Sequence, residues 1–240
     1  MSTTVSHNEP VGLGSSPGGR WGAGCTRTQE DQVSRPLLGF GVVAGPFYVL
    51  VSLAQAVVRD GFDLTRHDWS LLANGAGGWV QIANLVITGL MVVAAATGYH
   101  RALRGGPGQR WVPRLLATYG AGLVGAGIFR ADPMAGFPAG TPEGPPVTFT
   151  VHGTLHVVCG GVGFLALIVA TFVLAKRFRR QGRRGRAVFS IVTGVAFLAG
   201  FVGIASGSGT PTVVLGLVAA VLLAFGWLSS TSAHLYRHLH

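Results

Sequence analysis

The chain has 240 residues, of which 49% are hydrophobic and only 11% are charged, and its net charge is +10. Soluble domains carry about 25% charged residues, so this composition excludes an ordinary soluble domain and favours a protein with several membrane-spanning segments. The chain contains no P-loop and no CxxC motif. We therefore expect no nucleotide-binding or soluble catalytic role and no nucleic-acid partner.

Residues 1–36 are rich in Gly, Ser, Thr and charged residues and have no apolar core of their own. They also lack the order of a signal peptide, in which a basic start precedes an apolar run. We predict that residues 1–36 form a disordered tail. A second, short tail is predicted over residues 231–240. The two cysteines, Cys25 in the tail and Cys159 in a hydrophobic run, imply no disulfide framework.

Six hydrophobic stretches follow the first tail, and each is close to the ~20 residues that an α-helix needs to cross a bilayer. They run over residues 37–58, 79–99, 112–129, 149–175, 187–206 and 212–230. Strands of a membrane barrel would be shorter and would alternate apolar with polar residues, which these stretches do not. The sequence thus predicts an all-α membrane domain over residues 37–230, built as a bundle of six transmembrane helices.

The third stretch is the weakest, because Arg114 shortens its start and four glycines dilute its hydrophobicity. Gly120, Gly122, Gly125 and Gly127 recur at the spacing of small residues in helix–helix contacts. Small residues allow the backbones of neighbouring membrane helices to approach closely. We therefore interpret these glycines as a contact surface for neighbouring helices.

The basic residues are distributed unevenly between alternate loops. The first and third loops hold only three of the 18 Lys and Arg residues, namely Arg59, Arg66 and Arg130, and the other 15 lie in the tails and in the second and fourth loops. Because loops rich in Lys and Arg stay in the cytoplasm, we predict a multi-pass cell-membrane protein with both termini cytoplasmic. Residues 176–186, KRFRRQGRRGR, either bind anionic lipid headgroups or serve only as this topology signal.

Polar residues recur at helical spacing at the predicted outer ends of three helices. The stripes are Tyr48, Ser52, Gln55 and Arg59 in the first helix, Gln81, Asn84 and Thr88 in the second, and His152, His156 and Cys159 in the fourth. Three stripes at one depth predict a shared outer-leaflet cavity. The alternative is that helix ends near water simply tolerate polar residues. We expect both imidazoles to point into the bundle, because a ring facing acyl chains would have no polar partner.

These motifs together resemble a known family. The resemblance is carried by Gly45-Pro46, Gly61-Phe62-Asp63, Arg66-His67, Gly78-Trp79 with Gln81 and Asn84, Phe129 with Asp132-Pro133, and His152-Gly153 with His156. The chain resembles, over about residues 37–230, the bacterial integral membrane proteins grouped as domain of unknown function 998. The resemblance implies a six-helix membrane protein and brings no established activity.

Three functions remain open for the outer residues. The first is an outward-facing pocket that binds a small molecule, a lipid headgroup or protons, with the arginines paired to Asp63 and Asp132 or holding an anion. Its candidate residues are Gln55, Arg59, Asp63, Arg66, His67, Gln81, Asn84, Arg130, Asp132, His152 and His156. The second is a metal site, with zinc as the expected ion, in a membrane hydrolase. The third is purely structural, with the two histidines tying the third loop to the fourth helix.

The metal hypothesis rests on the spacing of two histidines. His152 and His156 are four residues apart, so they share one face of a helix, and Asp132 or His67 would supply a third ligand. Water bound to such a metal would hydrolyse a lipid amide or ester.

Overall fold

The computed structural model describes Met1, residues 21–146 and residues 148–238, with the backbone alone described for residues 21–33. Six α-helices and one 3-10 helix follow one another, and the described residues contain no strand. The helices are α1 (Trp21–Val58), the 3-10 helix (Trp69–Ala73), α2 (Gly78–Ala102), α3 (Trp111–Ile128), α4 (Val151–Arg180), α5 (Arg184–Ala205) and α6 (Pro211–Arg237). The predicted all-α fold with six long helices is confirmed.

Five of these helices are long and apolar enough to cross a membrane. They are the Ser34–Val58 part of α1, together with α2, α4, α5 and α6. Helix α3 has only 18 residues, and Arg114 and its glycines lower its hydropathy, as the sequence indicates. The chain is therefore a multi-pass membrane protein.

Both ends of the helical region extend further than hydropathy predicts. Helix α1 begins at Trp21 rather than at Leu37, and α6 continues to Arg237. Hydropathy detects only the part of a helix that suits lipid, whereas a helix satisfies its own backbone in water as well. The rest of the predicted disordered tail, residues 2–20, lies outside the described residues.

The helices form a closed ring. Each helix packs against its neighbours in the chain, and α6 packs against α1. The short connections after α2, α4 and α5 make consecutive helices antiparallel. Aromatic rings fill the centre, where Phe225 of α6 contacts Tyr48 of α1 at a centroid distance of 4.9 Å and Tyr119 of α3 at 6.3 Å.

Glycines place α3 in close contact with α2 and α4. A Cβ atom on Gly120 would lie 2.6 Å from the carbonyl oxygen of Gly89 in α2, and one on Gly89 would lie 2.5 Å from that of Gly120. On the other side, a Cβ atom on Gly122 would lie 2.7 Å from the carbonyl oxygen of Cys159 in α4. The interpretation of the third stretch as a helix-contact surface is confirmed.

The two ends of the bundle differ in charge. We call the end formed by residues 59–77, 129–146, 148–150 and 206–210 the acidic end, because it holds Asp60, Asp63, Asp68, Asp132 and Glu143. The opposite end, formed by residues 103–110, 181–183 and 238, is called the basic end. Between residues 34 and 238, all the carboxylate side chains lie at the acidic end.

Candidate functional site

Polar side chains of α1 and α2 form a buried hydrogen-bonded network. Gln55 Nε2 donates to Gln81 Oε1 at 2.7 Å. Asn84 Nδ2 donates to the same oxygen and to Ser52 Oγ, both at 3.1 Å. All four side chains are buried. The first two predicted stripes therefore face each other, and their own side chains occupy the space between them.

The third stripe divides into one buried and one exposed histidine. His156 is buried, and its Nδ1 lies 2.9 Å from the carbonyl oxygen of Ala126 and 2.8 Å from that of Phe129. It therefore donates to carbonyl groups at the end of α3, which lack partners within the helix. His152 is exposed and packs edge-on against the Phe129 ring. The prediction that both imidazoles point into the bundle is wrong for His152, because it lies in the first turn of α4, beyond the last residue of α3.

Asp132 forms part of the N-terminal cap of α4. Its carboxylate accepts hydrogen bonds from the backbone N–H and the hydroxyl group of Thr150, at 3.0 and 2.6 Å. Thr150 Oγ1 accepts in turn from the N–H of Gly153 at 3.0 Å. Asp132 is only 9% exposed. A buried carboxylate at the positive end of a helix dipole is favourably placed, so its position is explained by the local structure.

The predicted metal ligands do not converge. No group of three His, Cys, Asp or Glu side chains that would hold a metal ion occurs among the described residues. Asp132 is engaged by Thr150, His156 by the end of α3, and His152 is exposed. This geometry gives no support to a zinc site formed by His152, His156 and Asp132.

His67 joins the two large loops of the acidic end. Its Nδ1 accepts from the backbone N–H of Asp63 at 2.9 Å, so Nε2 carries the proton and donates to the carbonyl of Ala135 at 3.0 Å. The rings of Phe62 and Phe137 lie 5.3 and 5.4 Å from the imidazole. Because both nitrogens already have partners, His67 in this arrangement acts as a neutral tie between loops and not as a metal ligand.

The arginines at the acidic end have other partners than those expected. Arg66 forms an ion pair with Glu143 and not with Asp63. Arg130 is exposed, and it forms no ion pair with Asp132 or any other carboxylate in the part of the chain that the structure describes. The two expected pairs are therefore wrong, because the path of residues 129–150 brings Glu143, not Asp63, to Arg66.

Asp63 instead organises its own turn. Its Oδ1 accepts from the hydroxyl group of Thr65 at 2.7 Å and from the backbone N–H of the same residue at 2.8 Å. The hydrogen bond from the Thr65 hydroxyl group has the larger effect, and the one from the backbone N–H adds to it. Both favour the ionised carboxylate and so lower the pKa of Asp63 below its ordinary value. Asp63 is thus a turn residue at the surface.

Arg59 holds the end of the 3-10 helix. Its Nη1 donates to the carbonyl oxygen of Leu72 at 3.2 Å and its Nη2 to that of Asn74 at 2.5 Å. Its guanidinium also lies 5.4 Å from the centre of the Phe137 ring. The charge of Arg59 is therefore satisfied by carbonyl groups and an aromatic face.

Three buried polar atoms near this contact have no hydrogen-bond partner among the described residues. They are Gln55 Oε1, Trp69 Nε1 and Asn74 Nδ2. The side chains are 6%, 4% and 5% exposed, respectively. Trp69 packs against Tyr48 and Asn74 binds Arg59, and Gln55 lies between Tyr48 and Arg59 on the same face of α1. The three residues therefore lie along the contact between the end of α1 and the segment with the 3-10 helix.

The sequence reasoning missed Trp69 and Asn74. A loop of mixed polarity gives no periodic signal that it folds back over α1. The only sequence signal for this segment is the residue that starts the 3-10 helix. Asp68 caps the helix by accepting a hydrogen bond from the N–H of Ser70, a pattern common at helix starts. That pattern predicts a helical turn at Trp69 but not the surface against which it packs.

Comparison with protein families gives a match over most of the chain. The model of a family described as a protein of unknown function (DUF998) matches residues 42–234, which run from α1 to near the end of α6. No curated protein and no solved structure matches the chain.

Proposed function

Because the chain belongs to the DUF998 family, whose function is unknown, we propose a function from its own geometry: a multi-pass membrane protein that binds a small, uncharged polar molecule at its acidic end. The site is formed by Gln55, Trp69 and Asn74, beneath the loops that close this end. This site includes Gln55 of the predicted α1 stripe and adds Trp69 and Asn74 from the 3-10 helix region.

The three unpartnered polar atoms carry this proposal. A buried polar group without a partner costs about 1–3 kcal/mol, so an occupant that satisfies all three has a clear energetic advantage. Trp69 Nε1 and Asn74 Nδ2 are donors and Gln55 Oε1 is an acceptor. A hydroxyl or amide group supplies the matching acceptor and donor. A charged ligand fits less well, because the nearby Arg59 is already engaged.

The second candidate is a purely structural role, in which no ligand occupies the three atoms. It is favoured by the ties that His67, His156 and Asp132 make to backbone groups and to Thr150. Proton exchange through His67 is less consistent with this geometry, because both its nitrogens are hydrogen-bonded. The predicted metal-dependent hydrolase lacks a converging set of ligands in the part of the chain that the structure describes.

Trp69→Phe separates ligand binding from the structural role. It removes the Nε1 donor and keeps an aromatic ring against Tyr48. We expect native mass spectrometry of protein extracted gently from membranes to show a bound small molecule on the wild type. Its occupancy should fall about tenfold in Trp69→Phe, the order expected when a buried acceptor of the ligand loses its donor.

The control for this experiment is Trp79→Phe, which changes an exposed tryptophan at the start of α2, also at the acidic end. It should leave the bound molecule in place. If neither wild type nor control carries a molecule, and Trp69→Phe melts at the same or a higher temperature, the ligand hypothesis is wrong and the structural role remains. That result is expected when a variant merely deletes an unpartnered donor.

We further propose that the basic end faces the cytoplasm and that the membrane is the cell membrane. Residues 101–114, 176–186 and 237, which form the basic end and the helix ends next to it, hold 12 Lys and Arg residues, against three at the acidic end, and this excess supports the orientation. If α3 crosses together with the five longer helices, the number of crossings is even and both termini lie on one side. In this orientation residues 176–186 lie at the membrane surface, where anionic lipid headgroups would attract them.

Cysteine labelling tests the orientation. In a variant with Cys25→Ser and Cys159→Ala, we expect a membrane-impermeant maleimide added to intact cells to label Ala139→Cys and not Gly185→Cys. Ala139 lies in an exposed loop of the acidic end, and Gly185 has open space around its Cα at the basic end. Opening the cells should make Gly185→Cys reactive as well. The reverse pattern in intact cells would place the acidic end in the cytoplasm.

A further inference from the structure

A cavity of about 420 Å³ opens at the basic end, where the ends of α2, α4 and α6 meet the loop after α4. Its polar lining consists of Arg177, Gln181, Arg183, His234 and His238. We infer that this cavity binds the phosphate group of an anionic ligand, and that a membrane phospholipid is the ligand that fits it best. The site is separate from the one proposed at the acidic end and does not depend on it.

Arg177 is held in place before any ligand binds. Its Nη1 donates to the carbonyl oxygens of Leu103 at 2.9 Å and Pro107 at 3.3 Å. Gly106 lies directly against the guanidinium, since a Cβ atom there would be 2.7 Å from Nη1. A guanidinium has five N–H donors, so the Nη2 and Nε groups remain to bind an anion. A fixed arginine loses less conformational freedom on binding, which favours affinity.

Arg183 and the two histidines form the facing wall. Arg183 Nη1 donates to His234 Nε2 at 2.5 Å, and His238 Nδ1 donates to the carbonyl oxygen of His234 at 2.8 Å. The two imidazole rings lie 4.3 Å apart. These contacts attach the loop after α4 to the end of α6, so nitrogen donors from different elements converge on one cavity.

The surrounding charge favours an anion. Between residues 34 and 238, the carboxylate side chains all lie at the acidic end, so this part of the chain supplies none to the cavity. Guanidinium groups bind phosphate oxygens through two parallel hydrogen bonds, which makes arginine the preferred residue for phosphate recognition.

Apolar residues of the cavity favour a lipid over a soluble phosphate ester. Phe178 and Leu235 line the same cavity as the arginines. Such a wall suits the glycerol and first methylene groups of a phospholipid, whose headgroup lies at the depth of helix ends. The choice of a lipid therefore rests on the proposed membrane placement of the basic end, whereas recognition of phosphate does not.

The test uses the full chain purified in a neutral detergent. The melting temperature is measured during titration with phosphatidylglycerol in mixed micelles, with phosphatidylcholine as the zwitterionic comparison, and separately with inorganic phosphate. A ligand that binds the folded state raises the melting temperature with concentration, which gives an apparent affinity. We expect phosphatidylglycerol to stabilise the wild type, and Arg183→Gln to weaken this binding about tenfold, as for the loss of a charge-assisted hydrogen bond.

The matched control is Arg180→Gln, which removes the same charge from an exposed residue outside the cavity. It should change the affinity by less than about twofold, as expected for a screened surface charge. If Arg183→Gln does not fold, His238→Gln takes its place, because His238 is an exposed residue of the cavity. It should likewise weaken the binding of phosphatidylglycerol more than Arg180→Gln does.

The outcomes are distinct. Binding of phosphatidylglycerol without binding of inorganic phosphate, sensitive to Arg183→Gln alone, supports a lipid site. If inorganic phosphate also stabilises the wild type, and Arg183→Gln weakens its binding as much as it weakens that of phosphatidylglycerol, phosphate recognition is supported. The site is then assigned to a soluble phosphate ester. Equal losses in Arg180→Gln and Arg183→Gln would show nonspecific attraction to the basic end, and an absence of binding to both ligands would likewise overturn the inference.

Discussion

A Gly120→Ala variant is expected to lose about 3 kcal/mol of stability, near the upper end of the range for overpacked helix contacts. The added methyl group would lie 2.6 Å from the carbonyl oxygen of Gly89 and 3.0 Å from the backbone nitrogen of Val93. These are backbone atoms, so no rotamer change relieves the overlap and α2 and α3 must move apart. The effect opposes the usual gain of roughly 1 kcal/mol when alanine replaces a helical glycine.

The control for this variant is Gly216→Ala in α6, where no heavy atom lies within 4 Å of the new methyl group. We expect it to be neutral or slightly stabilising, because only the helix propensity changes. Thermal unfolding in detergent, followed by tryptophan fluorescence, compares the two variants, and the reciprocal Gly89→Ala should resemble Gly120→Ala. If Gly120→Ala melts together with Gly216→Ala, the close approach of α2 and α3 is contradicted.

The fold could be predicted to this extent because a membrane helix must satisfy two simple demands. Its side chains must be apolar over about 20 residues, and its backbone must bond internally. Both demands leave a signal in the chain, which is why all six helices were found and why the glycines of α3 could be assigned to a helix contact. The extension of α1 to Trp21 left no such signal, because residues 21–36 are too polar for hydropathy to mark them as a helix.

At the acidic end, the sequence predicted side-chain positions only for residues that lie on helices. Periodicity places Gln55 and Gln81 each on the polar face of its own helix, and the structure joins the two side chains. The partners of Arg66 and Asp132 depend instead on how the loops fold. Arg66 pairs with Glu143, which is 77 residues away, and no local pattern encodes the path between them. The same reason explains why Trp69 and Asn74 were not found.

The two ends of the bundle use their charges differently, and this supports two different ligand classes. At the acidic end, Arg59 and Arg66 are bonded to carbonyl groups and to Glu143, which leaves neutral donors and an acceptor without partners. At the basic end, Arg177 is fixed through one nitrogen only, beside a cavity with no carboxylate from residues 34–238. An uncharged ligand is therefore expected at the first site and an anion at the second.

Replacement of Gly153 by alanine is expected to cost about 3 kcal/mol, the order for a buried carboxylate that loses its hydrogen bonds. A Cβ atom on Gly153 would overlap the carboxylate of Asp132. That carboxylate holds the backbone N–H and the hydroxyl group of Thr150, which in turn caps α4. Displacing it therefore disturbs the start of α4, and thermal unfolding in detergent measures the loss.

Two comparisons identify the cause of this effect. Gly160→Ala lies in the same helix with no heavy atom within 4 Å of the new methyl group, so it should be neutral or stabilising. In an Asp132→Ala background the overlap is absent, so adding Gly153→Ala should cost little there, and the two substitutions should be strongly non-additive. If Gly153→Ala is equally destabilising with and without the Asp132 carboxylate, its cost arises elsewhere and the cap does not depend on this contact.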